Sequence, residues 1–249
     1  MSGHSKWSKV KHQKGATDAK RGQLFTKLSR ELTIAAREGG PDQDSNVRLR
    51  LAVLRAKAAN LPSENIDRAI KRAAGTGDGA TLEEAQYEGY GPGGTAMLVE
   101  VATDNRNRAA AEVRNAFNRN GGNMGEAGCV AWLFEPRGII EVELDGHDPD
   151  ELALQAIDAG AEDVQPDDGL IEIYTGPNQL YQVRQALEGL NFHVANAEAT
   201  MVPKTLVAAD DETALRVLKL VERLEDLDDV QKVYTNLDIP DSVLEQLSK

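Results

Sequence analysis

The hydrophobic pattern of this 249-residue chain changes at a glycine-rich segment, residues 75–79, and this change constrains the fold more than any other feature. Before the segment, apolar residues recur at three- and four-residue spacing, which predicts amphipathic helices over 18–38, about 45–59 and from Ser63 onward. After it, short apolar runs alternate with helical patterns, which predicts alternating strands and helices. We therefore predict an α+β protein in which a small helical domain precedes two α/β domains.

The order of the predicted elements indicates how the α/β part is divided. Residues 138–202 follow the order β-α-β-β-α-β, which is the ferredoxin-like arrangement. The strand–helix–strand pattern over 96–135 lacks a second half, and the helix and strand over 212–236 can supply it, so that no half-sheet is left with an exposed edge. The predicted domains are 1–80, helical with a basic arm; 81–136 plus 204–240, a discontinuous α/β domain; 137–203, an inserted ferredoxin-like domain; and 241–249, a C-terminal tail.

Charge is distributed very unevenly along the chain. The formal net charge is −13, yet residues 1–80 hold 16 Lys/Arg against 8 Asp/Glu, whereas the other 169 residues hold 12 against 33. An asymmetry of this kind is typical of a protein with one part that faces nucleic acid and another that faces something else. The acidic remainder would repel a duplex, so we expect contact to be confined to the basic end and a few loops.

The first thirty residues carry eight lysines and arginines against a single acid, Asp18. Residues 1–16 lack helical or strand periodicity, and we interpret them as a flexible basic arm that leads into the first helix. Lysines that meet phosphates release condensed counterions, so such an arm suits a polyanion. Trp7 could stack on a base or dock against protein, and His4 and His12 lack a third partner at metal-ligand spacing. A solvated tail is the alternative interpretation.

The remaining residue types exclude several classes of protein. A single cysteine, Cys129, rules out an intrachain disulfide and a zinc site built on paired cysteines, and it sits in a predicted strand as a small core residue. No apolar run approaches the roughly 18 residues that span a bilayer, and no signal segment is recognisable. We therefore expect a cytoplasmic protein without membrane contact.

Three further motifs have both a structural and a functional interpretation. In TDNRNR, residues 103–108, a helix cap is expected, and Arg106 and Arg108 could clamp a phosphate. The glycine-dense segments 88–94 and 121–128 match neither a Walker loop nor a dinucleotide-binding motif, so turn geometry explains most of them. Acidic clusters at 210–212 and 225–229 indicate solubility and capping. We predict no catalytic residues, no metal site and no cofactor.

Three segments carry a specific resemblance: MSGHSKWSKVKHQKGATDAKRGQLFTKLSREL, YEGYGPGGTAMLVEVATDNRNRAAAEVR and GGNMGEAGCVAWLFEPRG. In order and spacing they resemble the signatures of the YebC family, whose mitochondrial members are known as translational activators of cytochrome oxidase. The resemblance covers essentially the whole chain, most specifically its first 135 residues. Ala109 and Pro136 depart from the expected pattern. Because the chain opens on the motif at Met1 without a targeting extension, it resembles the bacterial members.

The resemblance implies a three-domain cytoplasmic protein without enzyme activity. Bacterial members are described as probable DNA-binding transcriptional regulators, and some members as ribosome-associated factors that assist elongation through proline-rich stretches. The resemblance and the basic arm together give these candidate nucleic-acid-binding residues: Lys6, Trp7, Lys9, Lys11, His12, Lys14, Lys20, Arg21, Lys27, Arg106 and Arg108.

The sequence bears on the choice between DNA and ribosomal RNA as the partner. The helix connections contain Gly39-Gly40-Pro41 and Leu61-Pro62, which argues against a helix-turn-helix with a short turn. A lysine-rich arm with one aromatic residue suits structured RNA, so physical arguments favour RNA on the ribosome, whereas the family description keeps promoter DNA as an alternative. A protein-interaction scaffold and a nucleic-acid-modifying enzyme are further hypotheses. The oligomeric state stays open, and a monomer is compatible with the pattern.

Overall fold

The computed structural model describes residues 18–74, 82–167 and 169–247. These residues fall into two compact units. One, the inserted unit, is Glu135–Val202; the other, the main unit, is formed by the described residues up to Phe134 and from Pro203 onward.

Three helices begin the main unit: α1 (Asp18–Gly39), α2 (Val47–Ala58) and α3 (Ser63–Ala74). Their apolar stripes meet in one buried cluster that includes Leu28, Leu32, Leu49, Val53 and Ile66. Asn46 joins the first two helices, because its Oδ1 accepts the Leu49 N–H and its Nδ2 donates to the carbonyls of Ala35 and Gly40. The three helices lie where the apolar spacing predicts them.

An antiparallel sheet forms the rest of the main-unit core. Its strands are β1 (Glu83–Tyr90), β2 (Ala96–Thr103), the two-residue β3 (Asn123–Met124) and β9 (Val230–Thr235), in the order β3-β1-β2-β9. Two helices, α4 (Arg106–Arg119) and α7 (Asp211–Glu225), contribute to the same hydrophobic core as this sheet, which includes Val99, Phe117, Val221 and Val233. Since β9 pairs with β2, the predicted pairing of the two discontinuous segments is present in the structure.

Three short elements complete the main unit. The strands β8 (Val207–Ala208) and β10 (Leu237–Asp238) pair in parallel, and α8 (Asp241–Leu247) buries Val243 in the core. Residues 241–247, interpreted from the sequence as part of a tail, are therefore helical.

The inserted unit is a four-stranded sheet with two helices. Its elements are β4 (Phe134–Glu143), α5 (Pro149–Asp158), β5 (Asp163–Asp167), β6 (Leu170–Thr175), α6 (Leu180–Gly189) and β7 (His193–Pro203). The strand order is β5-β6-β4-β7, which is that of a ferredoxin-like split β-α-β. Pro166 lies in the edge strand β5, where its missing N–H costs little. The predicted fold class is confirmed.

Two local predictions were wrong. Strand β1 was not predicted, because its sequence EEAQYEGY holds three glutamates and a glycine, residue types that are depleted in strands. Residues 129–135 were predicted as a strand, but Cys129 lies in a bend, Ala131–Leu133 form a 3₁₀ turn, and β4 begins only at Phe134.

Candidate nucleic-acid interface

The structure places only part of the predicted interface. Of the candidate residues, six lie outside the described residues: Lys6, Trp7, Lys9, Lys11, His12 and Lys14. The other five, Lys20, Arg21, Lys27, Arg106 and Arg108, all belong to the main unit.

Lys20 and Arg21 are exposed in the first turn of α1. The Lys20 ammonium lies 3.6 Å from the Glu222 carboxylate, and the two side chains are 50% and 43% exposed. The Arg21 guanidinium carbon lies 5.5 Å from the centroid of the Phe25 ring. An exposed ion pair of this kind contributes little to stability, so a phosphate can replace Glu222 at small cost.

Lys27, two turns further along α1, has a different environment. Its Nζ donates to the Glu225 carbonyl at 2.6 Å, and Gln23 Nε2 donates to the Asp226 carbonyl at 3.4 Å. These carbonyls end α7, where the helix dipole is negative and a cation is stabilised. Because this contact uses the Lys27 ammonium inside the protein, Lys27 does not belong with the exposed cations Lys20 and Arg21.

One turn beyond, Arg30 reaches a buried carboxylate. Asp229 is only 3% exposed, and its two oxygens accept hydrogen bonds from Arg30 Nη1, Thr103 Oγ1 and Arg108 Nη2, each at 2.8 Å. Arg30 Nη1 also donates to the Ala102 carbonyl at 3.1 Å. This cluster, the Asp229 node, ties α1 to β2, the start of α4 and the segment before β9.

The ionisation of the Asp229 node follows from its partners. Burial raises the pKa of Asp229, but the hydrogen bonds from Arg108 and Thr103 and the charges of Arg30 and Arg108 outweigh this, so the pKa lies below its ordinary value. Hydrogen bonds to Asp229 and Asp104 raise the pKa of Arg108. Arg108 is therefore a charged member of a structural cluster.

Arg106 contacts the start of β1. Its Nε lies 3.1 Å from Glu83, and its Nη2 donates to the Glu84 carbonyl at the start of β1. Asn105 caps α4 as predicted, with Oδ1 accepting the Arg108 N–H at 3.1 Å. The two arginines of TDNRNR thus contact separate carboxylates and do not converge on one phosphate position.

A third group of cations was missed by the sequence interpretation. Arg68, Lys71 and Arg72 are exposed on α3, at a spacing that puts them on one side of the helix. Only four residues, 59–62, separate α2 from α3, a length that helix-turn-helix proteins also use. The connection between α2 and α3 is therefore as short as in a helix-turn-helix, contrary to the expectation from Leu61-Pro62. The i, i+3, i+4 spacing of Arg68, Lys71 and Arg72 in the sequence could have revealed this group.

The two glycine-dense segments lie side by side. Gly89 and Tyr90 of β1 pair with Met124 and Asn123 of β3. The Glu88 carboxylate, almost fully buried, accepts the N–H groups of Gly128 (2.6 Å), Val130 (2.7 Å) and Ala131 (2.7 Å). Burial raises the pKa of Glu88, and these three hydrogen bonds more than offset it, leaving the pKa lowered. Glu88 was not a predicted site residue, because nothing in its local sequence indicates this role.

Cys129 lies in the segment that Glu88 holds. Its pKa is raised, first by burial and then by the charge of Glu88. A thiol with a raised pKa is a poor nucleophile, which agrees with the interpretation of Cys129 as a structural residue.

One group of described side chains has the spacing of metal ligands. Glu143, Asp145 and His193 of the inserted unit offer ligand atoms within 4.8 Å of one another. His193 Nδ1 lies 2.8 Å from Glu143 and 3.9 Å from Asp145. A hydrogen bond between the end of β4 and the start of β7 accounts for this arrangement without an ion. The sequence interpretation missed the group because its members lie far apart in the chain.

Comparison with known proteins decides the family. Residues 5–76 match the TACO1/YebC protein N-terminal domain, and residues 82–237 match the TACO1/YebC second and third domain. The chain belongs to the TACO1/YebC family. A protein of Moorella thermoacetica is 57% identical over 250 residues, covering 99% of each chain, and one of Chloroflexus aurantiacus is 59% identical over 242 residues, covering 96% of each. Both relatives are named probable transcriptional regulatory protein.

A solved structure agrees with this assignment. The crystal structure of a conserved hypothetical protein of Aquifex aeolicus has a TM-score of 0.82 and 50% identity to this TACO1/YebC member, covering 90% of this chain and 92% of that one. The resemblance in the sequence motifs is therefore confirmed. In the part of the chain that the structure describes, no helix combines the length and the apolar character needed to cross a membrane.

Proposed function

We propose that this chain is a non-enzymatic, cytoplasmic regulator of gene expression that binds nucleic acid through its basic N-terminal segment and the first turn of α1. The observation that carries the proposal is the division of the α1 cations. Lys27 and Arg30 anchor the helix to α7 and Asp229, while Lys20 and Arg21 stay exposed next to the basic segment. A fixed helix with an open cationic end positions the lysines before it against a phosphate backbone.

DNA is the partner that the relatives' names suggest, since both are called transcriptional regulatory proteins. The exposed cations of α3, Arg68, Lys71 and Arg72, are a second group of cations in the helical part of the main unit and support a duplex contact. Duplex binding by these residues would add phosphate contacts and steepen the salt dependence.

Ribosomal RNA is the second candidate, in which the protein assists translation. The residues after 80 hold 12 Lys/Arg against 33 Asp/Glu, and an acidic body of this size disfavours wrapping by long duplex DNA. A basic segment with one aromatic residue can instead contact a structured RNA at a single site. If neither nucleic acid binds, a protein-interaction scaffold is the remaining hypothesis.

Crosslinking in growing cells tests the proposal, with the bound nucleic acid recovered and sequenced. The test variant carries Lys6→Glu, Lys9→Glu and Lys11→Glu, and Lys219→Glu, which reverses an exposed charge on α7, serves as the matched control. We expect recovery of nucleic acid with the wild type and the control, and its loss in the test variant. Discrete promoter DNA would establish transcriptional regulation, and one ribosomal RNA site would establish a translation role. Equal recovery from the test variant would overturn the proposed interface.

A further inference from the structure

Two exposed aromatic side chains of the main unit donate hydrogen bonds to the same backbone carbonyl. The Trp132 side chain donates from Nε1 to the Cys129 carbonyl at 3.2 Å, and Tyr90 donates from its hydroxyl to the same oxygen at 3.1 Å. Trp132 is 65% exposed and Tyr90 40%. We infer that this pair is a stacking platform for an unpaired nucleobase of the nucleic acid that the protein binds, an inference that rests on the proposed function.

The platform is fixed before any ligand arrives. Glu88 binds the backbone on both sides of Cys129, through the N–H groups of Gly128, Val130 and Ala131. A Cβ at Gly125 would lie 2.6 Å from Cys129 Sγ, so the segment packs too closely for a side chain there. An indole held in this way loses little conformational entropy when a base stacks on it.

A cation accompanies the aromatic pair. Lys204 is exposed, its Nζ donates to the Trp132 carbonyl at 2.9 Å, and its backbone N–H donates to the Leu133 carbonyl at 2.8 Å. Two hydrogens of the ammonium group stay available for the phosphate next to a stacked base. The Glu88 carboxylate is buried and bonded to three N–H groups, so it does not face the phosphate; Glu126, in the same segment, is exposed.

An unpaired base fits this surface better than a duplex. The bases of a duplex are already stacked, whereas every unpaired base has a free face for an aromatic ring, and base–aromatic stacking suits any sequence. A single flexible strand can also reach Trp132 without bringing a second phosphate backbone onto the acidic part of the chain. The platform would therefore serve a single-stranded stretch, a loop or a bulge.

The two tryptophans of the chain, Trp7 and Trp132, allow a direct test. In the full-length Trp7→Phe variant all tryptophan emission comes from Trp132. The probe is a single-stranded 12-nucleotide RNA with a fluorescent label, with the same sequence in a closed hairpin stem for comparison. Anisotropy of the label reports binding, and Trp132 emission reports stacking.

We expect the single strand to bind and to quench Trp132, and the hairpin stem to quench it much less. Trp132→Ala should weaken single-strand binding about tenfold, whereas Trp132→Phe should retain most of the affinity because an aromatic face remains. Leu154→Ala, which removes another exposed apolar side chain, is the matched control and should bind as the parent does. Unchanged Tm values would show that Trp132→Ala is folded.

Two results would overturn the inference. Binding of the single strand with unchanged Trp132 emission and full affinity in Trp132→Ala would refute the platform and leave the proposed function intact. Absence of binding to every RNA and DNA probe, with the arm present, would refute both. The variant Glu88→Gln tests whether Glu88 positions Trp132. It keeps the indole but weakens the contacts that hold it, so Trp132 should become more mobile in time-resolved anisotropy, and strand affinity should fall.

Discussion

The first turn and the middle of α1 carry the same kind of charge and use it in opposite ways. At the start, Lys20 has an exposed ion pair with Glu222, and Arg21 lies over Phe25 at the surface. Ten residues later, Arg30 is only 20% exposed and bonds to the buried Asp229. A count of cations along a helix therefore does not locate its binding surface, because partners distant in sequence decide which cations remain exposed.

Helix geometry explains the division. Lys20, Gln23, Lys27 and Arg30 follow one side of α1 at three- and four-residue spacing, and this side faces the C-terminal part of α7 and the segment after it. Burial increases along this side toward Arg30. Lys20, at the exposed start of the row, can exchange Glu222 for a phosphate, whereas Arg30 cannot leave Asp229 without removing one of the two arginines that pair with this buried charge.

The largest expected effect is at the Asp229 node, which contacts the middle of α1. Asp229→Asn should lower the free energy of unfolding by about 2–3 kcal/mol, because two arginines lose their buried counter-charge while Arg108 can still reach solvent. Urea unfolding measures this. Asp228→Asn, which changes the exposed neighbouring carboxylate, should cost less than about 0.5 kcal/mol. Equal costs for the two variants would contradict the Asp229 node.

The same node predicts a pH dependence. Since the pKa of Asp229 is lowered in the folded protein, its contribution to stability is complete above the unfolded pKa, about 3.9, and is lost as pH falls through the folded value. The stability difference between wild type and Asp229→Asn should therefore be constant from pH 7 to about pH 5 and shrink below about pH 4. Urea unfolding across this range tests it; a difference that grows in acid would mean that the pKa is raised.

Charge reversal in the first turn of α1 should affect binding and leave stability nearly unchanged. The double variant Lys20→Glu with Arg21→Glu should weaken nucleic-acid binding about tenfold and reduce the slope of log K against log salt by about two, because two phosphate contacts disappear. Its free energy of unfolding should stay within about 0.5 kcal/mol of wild type. Affinity is measured by anisotropy between about 50 and 200 mM salt. An unchanged slope would remove these residues from the interface.

Lys27 gives a smaller and more discriminating effect. Lys27→Met keeps most of the aliphatic chain but loses the hydrogen bond to the end of α7, which should cost about 1 kcal/mol of stability. Lys20→Met is the matched change at the exposed end and should cost no more than about 0.5 kcal/mol. Urea unfolding of the two variants, measured side by side, tests this. A larger loss of stability in Lys20→Met than in Lys27→Met would show that Lys27 does not anchor the helix.

Much of the fold could be predicted because periodicity is a local property. Leu28 and Leu32 on α1, and the run AMLVEVAT on β2, give clear patterns. Strand β1 could not be predicted, because the burial of Glu88 and Gly89 depends on tertiary contacts that the local sequence does not reveal. The segment before β4 has the sequence pattern of a strand. Glu88 instead holds its backbone in a bend and a 3₁₀ turn, and the Trp132 side chain is exposed to solvent.

The candidate site was less predictable than the fold. Sequence identified the cations of α1 but could not separate Lys20 from Lys27, because the partner of Lys27 lies 198 residues away. The role of Arg108 likewise depends on Asp229, which is 121 residues distant. Such pairings follow only from the assembled structure.

Lysine footprinting measures directly whether Lys20 and Lys27 differ in their availability to a ligand. The full-length protein, alone and with bound nucleic acid, is treated briefly with an acetylating reagent, and modification at each lysine is measured by mass spectrometry. We predict that Lys20 and the lysines before it react quickly in the free protein and are protected when nucleic acid binds, whereas Lys27 reacts slowly in both states. Rapid reaction of Lys27 in the free protein, with protection on binding, would show that Lys27 belongs to the nucleic-acid-binding surface.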